Sequence, residues 1–98
     1  MTDKPFREVH GHLVYKNGTA FYPAKVPAIH AATASIHLEA FIFHATPIGY
    51  RFLEALAVRA RAGVTVRVIV DRIGSFPTPD RFFTPLRAAG GVVKWYQP

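Results

Sequence analysis

The chain has 98 residues, 50% of them hydrophobic and 13% aromatic, which fits one small globular domain and not a disordered segment. It contains no cysteine, so disulfides, thiolate metal sites and cysteine nucleophiles are excluded. Twelve Lys/Arg against six Asp/Glu give a net charge of +6, which suits anionic partners (phosphodiesters, anionic lipid surfaces, nucleic acid) and also serves solubility.

No apolar run approaches the roughly 18–20 residues needed to span a bilayer. The opening "MTDKPFREVH" lacks the apolar core of a signal peptide. The chain therefore reads as soluble and cytoplasmic, with residues 1–11 as an N-terminal tail and residues 12–98 as the domain.

"HLVYKNGTAFY" (12–22) predicts two short β segments around Asn17-Gly18, a pair that supplies the positive φ angles of a tight hairpin. In "PAKVPAIHAATA", Val26, Ile29, Ala32 and Thr33 share a short helical face that begins near Pro23 or Pro27. "SIHLEAFIF" (35–43) predicts a strand, with Ile36, Leu38, Ala40 and Ile42 on one face and His37, Glu39, Phe41 and Phe43 on the other. "TPIGYRFLEALAVRARAG" predicts a helix with Thr46 as N-cap, Pro47 in the first turn and Gly63 as the stop. Its apolar face is Phe52, Leu53, Leu56, Ala57 and Ala60. "VTVRVIVD" (64–71) has the Val-rich character of a central parallel strand buried on both faces. Thr78-Pro79 repeats the cap signal ahead of a short helix with Phe82, Phe83, Leu86 and Ala89, which Pro85 kinks or divides. "VVKWYQ" (92–97) is the last strand. A hairpin followed by αβαβαβ implies an α/β fold with a mainly parallel or mixed sheet and flanking helices.

Open parallel sheets bind ligands beyond the C-terminal ends of their strands. Glu39 and Asp71 lie at or near such ends, with Gly74 and Ser75 just beyond, and these four are the pocket-edge candidates. Arg72 and the helix starts at Thr46 and Thr78 are the candidate anion contacts, because free N–H groups and the positive dipole end suit phosphate. Asp71 has two readings, a turn cap or a site residue. A carboxylate at Glu39 in an apolar strand requires a partner or an exposed position. The five histidines form no H-E-x-x-H pattern, no Gly-rich phosphate loop appears, and no G-x-S-x-G supports a triad built on Ser75. No metal ligand set and no cofactor is assigned. Trp95 and Tyr96 read as packing residues, with base stacking as the alternative.

"AIHAATASIHLEAFIF", "GYRFLEALAVRARAGVTVRVIVDRIGS" and "FFTPLRAAGGVVKWYQP", in this order, resemble the first part of a phospholipase D superfamily domain of the bacterial cardiolipin synthase kind. "HLVYKNGTAFYPA" is similar to the segment that leads into it. The resemblance implies a partial phospholipase D-like sandwich. Complete members carry two H-x-K-x₄-D motifs. One His forms a phosphohistidine and the other protonates the leaving alkoxide, with Lys groups on the phosphoryl oxygens and no metal. Here the residues two places after the histidines are His12, Val14, Ala32, Glu39 and Thr46, so no H-x-K exists in these residues. The acid that relatives often carry near Ala45–Thr46 is also missing.

The resemblance thus implies a fragment that stops before the first such motif, inactive alone, with no catalytic residue of its own. It implies Glu39 as a group that orients a catalytic His in the parent. The implied partners are anionic phospholipid and the missing half-domains for a parent at the cytoplasmic membrane, and self-association through an exposed sheet edge. The alternatives are a nuclease-type fragment of the same superfamily and a non-catalytic lipid-, anion- or protein-binding module.

Overall fold

A computed structural model describes residues 6–16, 18 and 25–97, with the backbone alone for residues 6–8. Its elements are β1 (Phe6–Val9), β2 (His12–Lys16), α1 (Val26–Ala31), β3 (Ser35–Phe41), α2 (Pro47–Arg61), β4 (Thr65–Asp71), a single 3₁₀ turn (Asp80–Phe83), α3 (Thr84–Ala88) and β5 (Val92–Tyr96). The sheet is mixed: strands run in the order β1-β2-β3-β4-β5, antiparallel between β1 and β2 and parallel thereafter.

The hairpin differs from expectation. It joins β1 to β2 through His10-Gly11, so part of the expected tail is a strand. Gly11 has φ +84, and a Cβ there would collide with the Thr33 hydroxyl oxygen. Its carbonyl collects the N–H groups of Thr33, Ala34 and Ser35, which ties the turn to the start of β3. Asn17 and the second expected β segment, residues 19–22, lie outside the described residues.

The strand order never reverses. Right-handed crossovers in a sheet that grows in one direction place every helix on the same face. Burial follows that rule. Leu13, Tyr15, Ile36, Leu38, Val66, Val68, Val70 and Val93 are buried beneath the helices. The expectation that β4 is buried on both faces is therefore corrected. Thr65 and Arg67 are exposed, while Ile69 and Asp71 are half-buried.

The end of β3 also departs from simple alternation. Leu38 pairs with Val68 and Phe41 with Val70, so β3 advances three residues against two on β4. The extra residue is accommodated at Ala40, whose φ of 52° is in the left-handed region that side chains disfavour. Phe41 and Phe43 consequently point into the core with Ile36 and Leu38, not away from them. There Phe43 meets Phe41, Phe52, Phe82 and Phe83 at ring distances of 5.0–6.3 Å. Each such pair contributes about 0.5–1.5 kcal/mol beyond its buried area.

The helices follow the sequence signals closely. Thr46 Oγ1 accepts from Gly49 N at 3.2 Å, Pro47 opens α2, and Gly63 at φ +98 ends it. Phe52, Leu53, Leu56 and Ala57 are buried, and Ala60 is half-buried. In α1, Ile29 is buried and Ala32 follows it into the core, whereas Thr33 is exposed beyond the helix end. The last helical segment is divided next to Pro85, into the 3₁₀ turn and α3.

Candidate functional site at the strand ends

The open face of the sheet carries the polar side chains. Register places Lys16 beside Glu39, His37 beside Arg67, Ile69 beside Lys94 and Asp71 beside Tyr96. At the C-terminal ends of the strands, a cavity of about 350 Å³ is lined by Lys16, Glu39, Ala40, Ile69 and Tyr96. Glu39 Oε1 stands 3.8 Å from Lys16 Nζ, with 45% and 61% of the two side chains exposed. Glu39 thus has both a partner and access to water. An exposed pair of this kind is worth about 0–1 kcal/mol. Lys16 can therefore leave the carboxylate for an incoming anion at small cost. The bulge at Ala40 sits in the wall of this cavity, and bulges often re-aim side chains beside sites.

The Asp71–Thr78 connection is built from internal bonds. Asp71 Oδ1 accepts from Ile73 N and Gly74 N, both at 3.0 Å, and the Asp71 carbonyl accepts from Ser75 N at 2.9 Å. The acid caps the turn that follows its strand. Gly74 passes close to Ile42, where a Cβ would stand 2.8 Å from two of its side-chain carbons. Ser75 is fully buried, and its Oγ accepts from Phe43 N at 3.0 Å. Thr78 Oγ1 donates to the Phe43 carbonyl at 2.8 Å. These two hydroxyls satisfy the backbone of a residue that has left the ladder after the bulge.

Thr78 is therefore no helix cap. The 3₁₀ turn begins at Asp80, Pro79 holds the cap position without a side-chain bond, and the Thr78 hydroxyl faces β3 instead. Thr46 caps α2 and lines an opening of about 440 Å³ with His44, Ala45, Pro77, Thr78 and Pro79. Gly49 is required in that first turn, because a Cβ would run into the His44 carbonyl oxygen.

Arg72 lies 4.7 Å above the Trp95 ring, while its N–H holds the Tyr96 carbonyl at 2.8 Å. Trp95 packs edge-on against Phe83 and donates its indole N–H to Asp80 at 2.7 Å. Arg87 grips the same carboxylate at 2.9 and 3.0 Å and donates to the Val93 carbonyl. The Trp95 hydrogen bond, then the Arg87 bond, hold the Asp80 carboxyl below its ordinary value of 3.8. Trp95 is thus a packing residue with its polar edge and one face engaged.

Two residues escaped sequence reasoning. Lys16 carries no site signal in the sequence, and only parallel pairing of β2 with β3 brings it to Glu39. Arg59 falls mostly outside the apolar face that the sequence pattern gives α2. Its Nε and Nη2 both donate to the Ala32 carbonyl, at 3.2 and 2.8 Å, and latch α2 to the end of α1. Among the described residues, no group of three or more His, Cys, Asp or Glu side chains could hold a metal. No helix there is long and apolar enough to cross a membrane.

The geometry so far defines a one-sided α/β layer with an acid–base pair at its strand ends, and comparison with known sequences assigns that layer. No family model and no solved structure matches the chain. It is 37% identical over 93 residues to cardiolipin synthase B of Escherichia coli K12, which is 95% of this chain and 22% of that protein. It is 33% identical over 93 residues to the major cardiolipin synthase ClsA of Bacillus subtilis, 95% of this chain and 19% of that protein. The cardiolipin synthase of Listeria monocytogenes matches at 32% over 85 residues, 87% of this chain and 18% of that protein. The chain thus spans about a fifth of the length of these relatives. Its homologues are cardiolipin synthases, members of the phospholipase D superfamily, and the similarity covers one segment of them.

Proposed function

We propose that the chain is one α/β layer of a cardiolipin synthase-like phosphatidyltransferase, and that it performs no phosphatidyl transfer alone. The observation that carries this is the pairing of 37% identity over 93 residues with the lack of any H-x-K among the five histidines. The nucleophilic and proton-donating histidines of that chemistry come from residues beyond these 98. This layer contributes a pocket wall. Lys16 offers its ammonium to a lipid phosphate, and Glu39 orients an incoming imidazole by accepting its second N–H. Asp71, Gly74 and Ser75 shape the pocket edge from behind, as the frame that keeps Phe43 and the end of β3 in place. Arg72 directly follows Asp71, and its guanidinium, stacked over Trp95, is exposed and can meet a phosphate.

The test is a chimera in which this chain replaces the aligned segment of the E. coli cardiolipin synthase B. The chimera is expected to form cardiolipin from phosphatidylglycerol, and the 98-residue chain to form none. Glu39→Gln in the chimera is expected to lower turnover about 10²-fold or more with little change in lipid KM. A folded chimera without activity, or turnover by the chain alone, overturns the reading. Salt-sensitive cleavage of DNA in place of lipid transfer selects the nuclease alternative.

A further inference from the structure

The turn that leaves β4 holds two large apolar side chains out of the core. Phe76 is 78% exposed and Ile73 is 64% exposed. Phe76 N donates to the Ile73 carbonyl at 3.3 Å, so both belong to one turn. That turn is held at its base. Asp71 binds its first N–H groups, and Ser75 and Thr78 bind Phe43 from either side of Phe76. A fixed loop that shows two such side chains to water marks an interaction surface.

Within the turn the charge has one sign. Residues 72–79 contain Arg72 and no acid. The two flanking carboxylates are engaged: Asp71 accepts from its own turn, and Asp80, though exposed, accepts from Trp95 and is paired with Arg87. Arg81 is exposed and borders an opening of about 370 Å³ with Tyr50, Pro79 and Phe82. Tyr50 itself is 55% exposed. An apolar tip, an amphipathic aromatic residue and two arginines match a lipid surface of negative charge better than an acidic protein, which would not reward Phe76 and Ile73.

We infer that this turn docks the domain on an anionic phospholipid bilayer. Ile73 and Phe76 enter the boundary between headgroups and acyl chains. Arg72 and Arg81 take lipid phosphates, and Tyr50 lies at headgroup level. The turn emerges from the C-terminal end of β4, so docking there presents the strand-end cavity to the same surface. This inference rests on the phospholipid reading above, and it names the surface that reaches the lipid.

The test is flotation of the 98-residue chain with vesicles of phosphatidylcholine, or of phosphatidylcholine mixed with phosphatidylglycerol. The chain is expected to float with the mixed vesicles only. The Ile73→Ser/Phe76→Ser variant is expected to partition about tenfold less or lower. Arg81→Gln is expected to lose about fivefold on mixed vesicles. Phe76→Trp is expected to shift its emission to the blue when mixed vesicles are added. Circular dichroism melts check that the variants remain folded. Wild type that floats with neither vesicle overturns the inference, as does equal flotation of the double variant. A double variant that turns an oligomer into a monomer without changing flotation reassigns the tip to contact between copies. The chimera, assayed in mixed detergent–lipid micelles, does not depend on docking. Its activity with an unbound turn would sink this inference and leave the phosphatidyltransferase reading standing.

Discussion

Removing one hydroxyl tests how the end of β3 is held. Phe43 follows the bulge and has no exposure, and its N–H donates to the buried Ser75 Oγ at 3.0 Å. Ser75→Ala leaves that N–H without a partner and without a path to water. A buried donor left unsatisfied costs about 1–3 kcal/mol. Small domains have only about 5–15 kcal/mol in total, so the loss is large. For a domain of this size it corresponds to a fall in Tm of roughly 5–20 °C. Thr78→Val removes the partner of the Phe43 carbonyl and is expected to cost less, because an under-satisfied carbonyl is better tolerated than an orphaned N–H. The double variant should cost less than the sum, since both hydroxyls fasten one residue to one loop. Urea unfolding followed by far-UV circular dichroism reads all three. A Ser75→Ala protein within about 0.5 kcal/mol of wild type would show that Ser75 does not clamp the strand end.

Ala40→Gly relieves a left-handed residue at φ 52 and is expected to raise stability by about 0.5–1 kcal/mol after the extra freedom of the unfolded chain is counted; a lower urea midpoint contradicts that account. Arg59→Met removes both bonds to the Ala32 carbonyl and is expected to cost about 1–2 kcal/mol, with amide exchange accelerating first in α1. Asp80→Asn probes pH. A carboxyl held below 3.8 in the folded state stabilises the fold above that value and loses its contribution as pH falls through the folded pKa. Wild type is therefore expected to exceed the Asn variant in stability at neutral pH. The gap should narrow as pH falls below 3.8 and close below the folded pKa, and a gap that widens in acid reverses the assignment.

Much of this architecture is local and was therefore legible in the sequence. Thr46-Pro47 and Gly63 mark α2 because caps depend on two or three neighbouring residues. The alternation in β4 is equally local. What alternation cannot say is how many faces are covered. Arg67 within β4 was the hint that one face is open, and Val-rich flanks outweighed it. The bulge at Ala40 left no mark, since alanine carries no signal for positive φ; only the packing of Phe41 and Phe43 demands it. Asn17-Gly18 carried a stronger hairpin signal than His10-Gly11, where histidine in the left-handed region is supported by the contacts of Gly11 with Thr33, Ala34 and Ser35. At the site, Glu39 could be chosen as an acid in an apolar strand. Its companion Lys16 needed strand register, a relation between residues 23 positions apart. Ser75 and Thr78 face Phe43 for the same kind of reason: their partner lies more than 30 positions away.

The unbroken strand order has a consequence for how the chain assembles. Each strand from β2 onward pairs with the one made just before it, so no pairing has to wait for a distant segment. Loop closure between successive strands stays short, and folding of such a topology is quick for a parallel sheet. As the chain leaves the ribosome, every crossover can settle onto a template that already exists. A synthesis that stalls after β4 would leave a shorter sheet with the same register, and no scrambled pairing to undo.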